Sequence, residues 1–196
     1  TFFCFANYLT PSIRMAALMK TPVLYLFTHD SLTVGEDGPT HQAVEQIATL
    51  RCMPNLYVFR PSGRNEILAA YQTYFKKSMP LSIILPRLVT DFVEDDFNEA
   101  LNGAYYVSKT NKAIATIIAT GSEVSLALKA QMQLKQKGIN VNVVSMPCCE
   151  LFDEQPKEYK NKIIDRTKPV FCIEASSDST FYKYATSEET VLQLNS

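Results

Sequence analysis

Apolar positions fall in blocks along this chain, and each block has the length of a strand. Residues 22–28 (PVLYLFT), 81–86 (LSIILP), 113–119 (AIATIIA) and 140–146 (NVNVVSM) are apolar nearly throughout, with 55–61 (NLYVFRP) and 168–175 (KPVFCIEA) close behind. A short continuous apolar run predicts a strand buried on both faces, as in a parallel sheet. The segments between them carry helical spacing. Residues 41–51 (HQAVEQIATLR) put Val44, Ile47 and Ala48 on one face with Arg51 near the end, 65–77 (NEILAAYQTYFKK) end basic, and 121–138 close on Gly138. The opening TFFCFANY is aromatic and β-favouring, bringing the expectation to about four strands before Pro86. TPSIRMAALM then predicts a helix with Thr10 as its cap and Pro11 at its first position.

Apolar strands alternating with amphipathic helices imply an α/β fold: a parallel sheet with helices on both faces. Residues 87–103 break the pattern, acidic and aperiodic (DFVEDDFNEA), and read as a surface linker. The expected organisation is an α/β unit over residues 1–86, a linker over 87–111, and a second, smaller α/β unit over 112–196. Both units read as incomplete, because the chain begins with Thr and its last residues, VLQLNS, read as a helix just under way.

Composition narrows the partners. A net charge of -1 over 196 residues leaves no basic field for nucleic acid or an anionic membrane. No apolar run approaches the roughly 18 residues of a membrane span, and no signal-peptide pattern opens the chain. The five cysteines, Cys4, Cys52, Cys148, Cys149 and Cys172, lack framework spacing, which predicts reduced thiols packed as small apolar side chains in a cytoplasmic protein.

The candidate chemistry sits on THDSLTVGEDGPTHQ, residues 28–42, which holds both histidines of the chain, His29 and His41. Ligands of open parallel sheets bind outside the carboxyl ends of the strands, and the apolar run from Val23 to Phe27 delivers Thr28, His29 and Asp30 to that edge. Gly35, Gly38 and Pro39 permit a tight path that returns His41 to the N-terminus of the next helix, where free N–H groups favour an anion. Imidazoles exchange protons near neutral pH. The blander reading has His41 capping a helix and His29 satisfying a carbonyl. A metal held by His29, Asp37 and His41 matches no ligand spacing. Phe2, Phe5 and Tyr8 recur at i, i+3, i+6, either as a core stripe or as a platform for a flat heteroaromatic ligand. Gly121, Ser122 and Glu123 form a strand-to-helix turn that either cradles a phosphate or simply caps the helix.

Together, TFFCFANYLTPSIRMAALM, the 28–61 segment beginning THDSLTVGEDGPTHQ, NEILAAYQ, ATGSEVSLAL and VVSMPCCELFDEQ resemble transketolase, a thiamine-diphosphate enzyme. The resemblance implies that residues 1–86 are the later part of a pyrimidine-binding domain and 112–196 the start of the family's C-terminal domain. It implies transfer of a two-carbon ketol unit from a ketose phosphate to an aldose phosphate, with thiamine diphosphate and Mg²⁺. Phe2, Phe5 and Tyr8 match aromatics around the cofactor's pyrimidine ring. His29 matches a sugar-phosphate contact, Asp37 an aspartate that recognises a substrate hydroxyl, and His41 a histidine that moves protons on the acceptor sugar. Arg87 matches a phosphate-binding arginine, here in Leu-Pro-Arg-Leu where the family has Ser-Arg-Gln. The cofactor-activating glutamate and the diphosphate-and-metal domain have no counterpart in these residues. The implied protein is a homodimer with sites between subunits, and this chain alone is expected to be inactive. The alternatives are a deoxyxylulose-phosphate synthase-like enzyme, which shares the Gly-x-Asp-Gly-Pro-Thr-His loop, and a non-catalytic sugar-phosphate-binding or dimer-completing partner.

Overall fold

A computed structural model describes residues 1–87 and 89–194. The first unit is a three-stranded parallel sheet of β1 (Leu24–Phe27), β2 (Tyr57–Phe59) and β3 (Leu81–Ile84) in the order β1-β3-β2. Helices α1 (Ala6–Met19), α2 (Gln46–Arg51) and α3 (Arg64–Lys77) connect and cover it. Phe3, Ile13, Phe27, Ile47, Leu50, Val58 and Ile84 form its buried core. Val58, Phe59, Leu81 and Ile83 are fully buried, as strands covered on both faces must be.

The second unit carries five strands in the order β4-β6-β5-β7-β8: β4 (Tyr105–Ser108), β5 (Ala115–Ala119), β6 (Val141–Ser145), β7 (Val170–Ile173) and β8 (Val191–Leu192). All pairs are parallel except β4 with β6. Between them run α4 (Phe97–Ala100), α5 (Glu123–Gln136), α6 (Cys149–Asp153) and α7 (Lys157–Ile163). Ile118, Val144, Met146, Phe152, Cys172 and Phe181 make one continuous core. Ile118 is fully buried on the central strand, so Ile118→Val is expected to cost about 0.5–1.5 kcal/mol, read as a small drop in the urea midpoint.

Several sequence expectations need correction. TFFCFANY is not a strand. Phe3–Phe5 form a 3₁₀ turn that runs into α1, and Phe2 alone makes a parallel bridge to Thr28, so three strands precede Pro86. The i, i+3 spacing of the rings was the stronger signal than their β propensity. The helix starts at Ala6 rather than Thr10; Pro11 lies inside it, and the Thr10 hydroxyl donates back to the Ala6 carbonyl at 3.1 Å. The helix expected over 41–51 is reduced to Gln46–Arg51. The second unit holds the larger sheet, not the smaller. The expected linker, residues 87–111, instead supplies α4 and β4, where Tyr105 is buried. Val191 and Leu192 pair as a strand on β7 rather than starting a helix. Cys4, Cys148, Cys149 and Cys172 are buried free thiols, but Cys52 is exposed.

The two units pack as one. Tyr57, Phe59, Leu81 and Ile83 of the first share an apolar cluster with Cys148 and Leu151 of the second. Parallel pairing also fixes what meets at the junction. Phe27 pairs with Ile84 and Phe59 with Ile83, so residues 28–30, 60 and 85–87 leave the first sheet at one edge. Ala119 pairs with Ile173, so residues 120–123 and 174 leave the second sheet at its own carboxyl edge. Ion pairs from Arg60 to Glu123 and Glu174 show that these two edges face each other.

Candidate active site

The edge of the first sheet gathers the candidate residues. β1 ends at Phe27, and Thr28 is pinned there by two backbone bonds: its N–H donates to the Thr1 carbonyl at 2.9 Å, and its carbonyl accepts from the Phe3 N–H at 2.7 Å. The next residue, His29, takes a left-handed backbone, φ 62°. For a residue with a Cβ this costs about 1–2 kcal/mol. It turns the imidazole onto Phe2, the rings stacking with centroids 3.5 Å apart and planes 20° apart. His41 reaches the same place from the other side of the loop. Its ring meets Phe5 edge-on at 5.3 Å and Phe2 at 6.2 Å. Phe5 in turn lies 6.0 Å from Tyr8 along the helical turn. Both imidazoles and all three aromatics thus form one connected surface.

The loop between the histidines folds as two 3₁₀ turns, Gly35–Asp37 and Pro39–His41. Gly38, at φ 76° and ψ −172°, joins them in a conformation open essentially to glycine alone. His41 therefore sits on a 3₁₀ turn, five residues before α2 begins, and not at a helix N-terminus as the sequence suggested. An anion there would meet side chains rather than a helix dipole. Asp37 is exposed, and with Val34, Glu36 and Arg87 it lines an open cleft of about 560 Å³.

Each imidazole is tied through one nitrogen. His29 Nδ1 lies 2.9 Å from the Thr28 hydroxyl, and His41 Nδ1 lies 2.9 Å from the Thr40 hydroxyl. Nε2 is left on each ring for a ligand. Burial, and then the Arg87 guanidinium, push the His29 imidazole below its ordinary value, against the opposing pull of Asp37 and Asp30. Burial and the neighbouring cation thus both favour the neutral imidazole. A dianion arriving there would reverse the balance and draw a proton onto the ring.

The strand-to-helix turn at residues 121–123 holds no phosphate cradle. The Ser122 hydroxyl lies 2.7 Å from Glu123 and 3.3 Å from Asp30, its one proton shared between the two carboxylates, and Glu123 pairs with Arg60 at 2.9 Å. Its polar groups are spent on the junction. Among the described residues, no group of three or more His, Cys, Asp or Glu side chains is placed to hold a metal ion.

The sequence places Asp30 at this edge but discloses neither its buried partner nor Arg60. Arg60 is fully buried, pairing with Asp30 at 2.7 Å and Glu174 at 3.0 Å as well as with Glu123. The available signal was an arginine closing the apolar run LYVFRP. A charge at the buried end of a strand implies partners arriving from elsewhere in the fold.

Residues 1–91 match the family described as "Transketolase, pyrimidine binding domain", and residues 103–196 the "Transketolase-like TK C-terminal domain". Curated relatives include the transketolase of Aquifex aeolicus, 45% identical over 100% of this chain and 29% of its own length, and that of Bacillus subtilis, 45% identical over 100% and 30%. This chain thus spans less than a third of the relatives it matches. A solved transketolase from Pichia stipitis, in complex with sedoheptulose-7-phosphate, superposes with a TM-score of 0.94 at 36% identity, over 100% of this chain and 29% of that one. The matched segments, the relatives and the superposed fold agree: the chain belongs to the transketolase family, of which it carries pyrimidine-binding and C-terminal-domain sequence.

Proposed function

We propose that this chain supplies one wall of a transketolase active site. In this reading Phe2, Phe5 and Tyr8 hold the pyrimidine ring of thiamine diphosphate, and His29, Asp37, His41 and Arg87 hold a sugar phosphate. The observation that carries it is the convergence of both imidazoles on the Phe2–Phe5 pair, with Arg87 delivered to the same edge by β3.

The residues fit the cofactor. Tyr8 is 82% exposed and Phe2 and Phe5 are half-buried, so each ring keeps a surface for a flat heteroaromatic, worth about 0.5–1.5 kcal/mol per ring pair beyond area burial. When bound, thiamine diphosphate supplies the nucleophilic carbon that accepts the two-carbon ketol unit. Its diphosphate and Mg²⁺ fall to a domain outside these residues. The work of this chain is positional and protonic. Arg87 and His29 Nε2 grip the far phosphate of the sugar, Asp37 accepts a hydrogen bond from a substrate hydroxyl, and His41 Nε2 moves a proton on the acceptor sugar. Proton transfer of this kind contributes about 10²–10⁴-fold to rate. The substrates are ketose and aldose phosphates, the setting is cytoplasmic, and a homodimer completes the site.

The chain with thiamine diphosphate and Mg²⁺ is expected to show no ketol transfer between xylulose 5-phosphate and ribose 5-phosphate. Activity should return when a polypeptide carrying the rest of a relative's sequence is added. Turnover by the chain alone, or none in the reconstituted mixture, would overturn the reading.

Binding should also be proton-linked. The His29 imidazole is depressed in the free chain and would be raised by a bound phosphate dianion, so protons are taken up on binding and affinity tightens as pH falls from about 8 towards 6.5. One linked proton gives at most about tenfold per pH unit. Calorimetric titration with ribose 5-phosphate should show this slope, and His29→Ala should flatten it.

A further inference from the structure

We propose that Asp30 and Arg60 are positioning residues for His29, and that the second α/β unit, through Ser122, Glu123 and Glu174, holds them in place. The inference gives the second unit a task at the site. It rests on the reading of His29 as a ligand contact only for its functional meaning.

His29 is the one residue of the site whose backbone lies in the left-handed region without being a glycine. Such a conformation persists only where both neighbours over-determine it. On one side Thr28 is fixed by Thr1 and Phe3. On the other, Asp30 is 2% exposed and spends one carboxylate oxygen, Oδ2, on Arg60 at 2.7 Å and on the Ser122 hydroxyl at 3.3 Å. Its other oxygen, Oδ1, is buried without a partner among the described residues, so the Arg60 and Ser122 contacts alone fix its direction.

Arg60 is held in turn by the second unit. Its Nη1 meets Glu123 Oε2 at 2.9 Å and Glu174 Oε1 at 3.0 Å, its backbone N–H donates to the Pro147 carbonyl at 2.9 Å, and its carbonyl accepts from the Gly121 N–H at 3.0 Å. Gly121 itself lies so close that an added Cβ would sit 3.3 Å from the guanidinium. Among the described residues, every hydrogen bond and ion pair that orients Arg60, apart from Asp30, comes from residues 120–174. A chain of buried charge therefore runs from Glu174 through Arg60 and Asp30 to the strained turn at His29.

The test reads ring geometry by NMR in the 196-residue chain, without cofactor or sugar, so its outcome is independent of the enzymatic reading. There are only two imidazoles to assign. The stacked Phe2 ring shields the His29 Hδ2 and Hε1 protons, and His41, which meets Phe2 only edge-on at 6.2 Å and packs closer to Phe5, is the internal control. Glu174→Gln and Asp30→Asn are expected to move the His29 ring signals downfield as the stack loosens, while His41 stays in place. Should either variant lose its dispersed amide spectrum, Ser122→Ala and Glu123→Gln take its place, removing one contact each at the rim of the cluster. A His29 shift in these folded variants with His41 unmoved supports the proposal. Unmoved His29 signals, or equal movement of both histidines, overturn it.

Discussion

Arg60→Met is expected to destabilise the chain by about 3–5 kcal/mol, the largest loss of any single substitution considered, read as a lowered urea midpoint at neutral pH. Methionine keeps most of the volume, so the loss is electrostatic. Two guanidiniums, of Arg51 and Arg60, face four carboxylates, of Asp30, Glu123, Glu174 and Asp178, with the side chains between 0% and 10% exposed. Removing one cation strands carboxylates in low dielectric, where each is costly without a partner. A triple variant, Arg60→Met with Asp30→Asn and Glu174→Gln, should recover much of the loss, because well-packed neutral groups often replace buried ion clusters at little cost. If the triple variant is no more stable than Arg60→Met alone, uncompensated charge is not the cause. The acid limb carries a second signature. Burial alone would raise the Glu174 carboxyl, but Arg51 and Arg60 outweigh it and hold the group below its ordinary value. A carboxyl depressed in the folded state contributes stability above its unfolded value, lost as pH falls through the folded one. In Arg60→Met that loss should begin at higher pH than in the parent.

This cluster also marks the limit of what the sequence discloses. The strands at residues 22–28, 55–61 and 81–86 were legible because burial on both faces leaves an unbroken apolar run, and the ends of such strands are where ligands gather. His29, Asp37 and His41 were therefore readable together: one loop of local chain joins them, and Gly38 permits its path. Arg87 was harder, since it reaches the cleft only through the pairing of β3 with β1. Asp30, Arg60, Glu123 and Glu174 were invisible as a set. The paired residues Arg60 and Glu174 alone stand 114 residues apart, and each member of the set reads singly as an ordinary charge beside an apolar run. TFFCFANY misled because ring propensity favours a strand while ring spacing favours a helical turn, and the turn won by stacking Phe2 on His29. The helix after the site loop came out short for a related reason. Gly38 and Pro39 commit residues 39–41 to a 3₁₀ turn that seats His41 against Phe5, and regular helix resumes only at Gln46.

The second large effect is expected at His29 in the reconstituted enzyme. On the proposed role, His29→Ala would remove one charge-assisted bond to phosphate, worth about 1.5–3 kcal/mol, and should lower kcat/KM for phosphorylated sugars by about 10- to 150-fold. The loss should fall mainly on KM, because the phosphate lies far from the bond that changes and is gripped equally in ground and transition states. An unphosphorylated aldose offers His29 nothing to grip, so its slower turnover should be nearly unchanged. Arg87→Ala should show the same selectivity. The two losses should not add fully, since the proposal gives both groups one phosphate and Arg87 already acts on the His29 imidazole. His41→Ala should differ in kind. Its ring packs edge-on against Phe5, and a proton-transfer role predicts a fall in kcat for phosphorylated and unphosphorylated acceptors alike. Equal losses at His29→Ala for both kinds of sugar would instead mean that the imidazole serves the reacting carbons, or that the Phe2 stack has collapsed with it, and the division of labour between the two histidines would have to be redrawn.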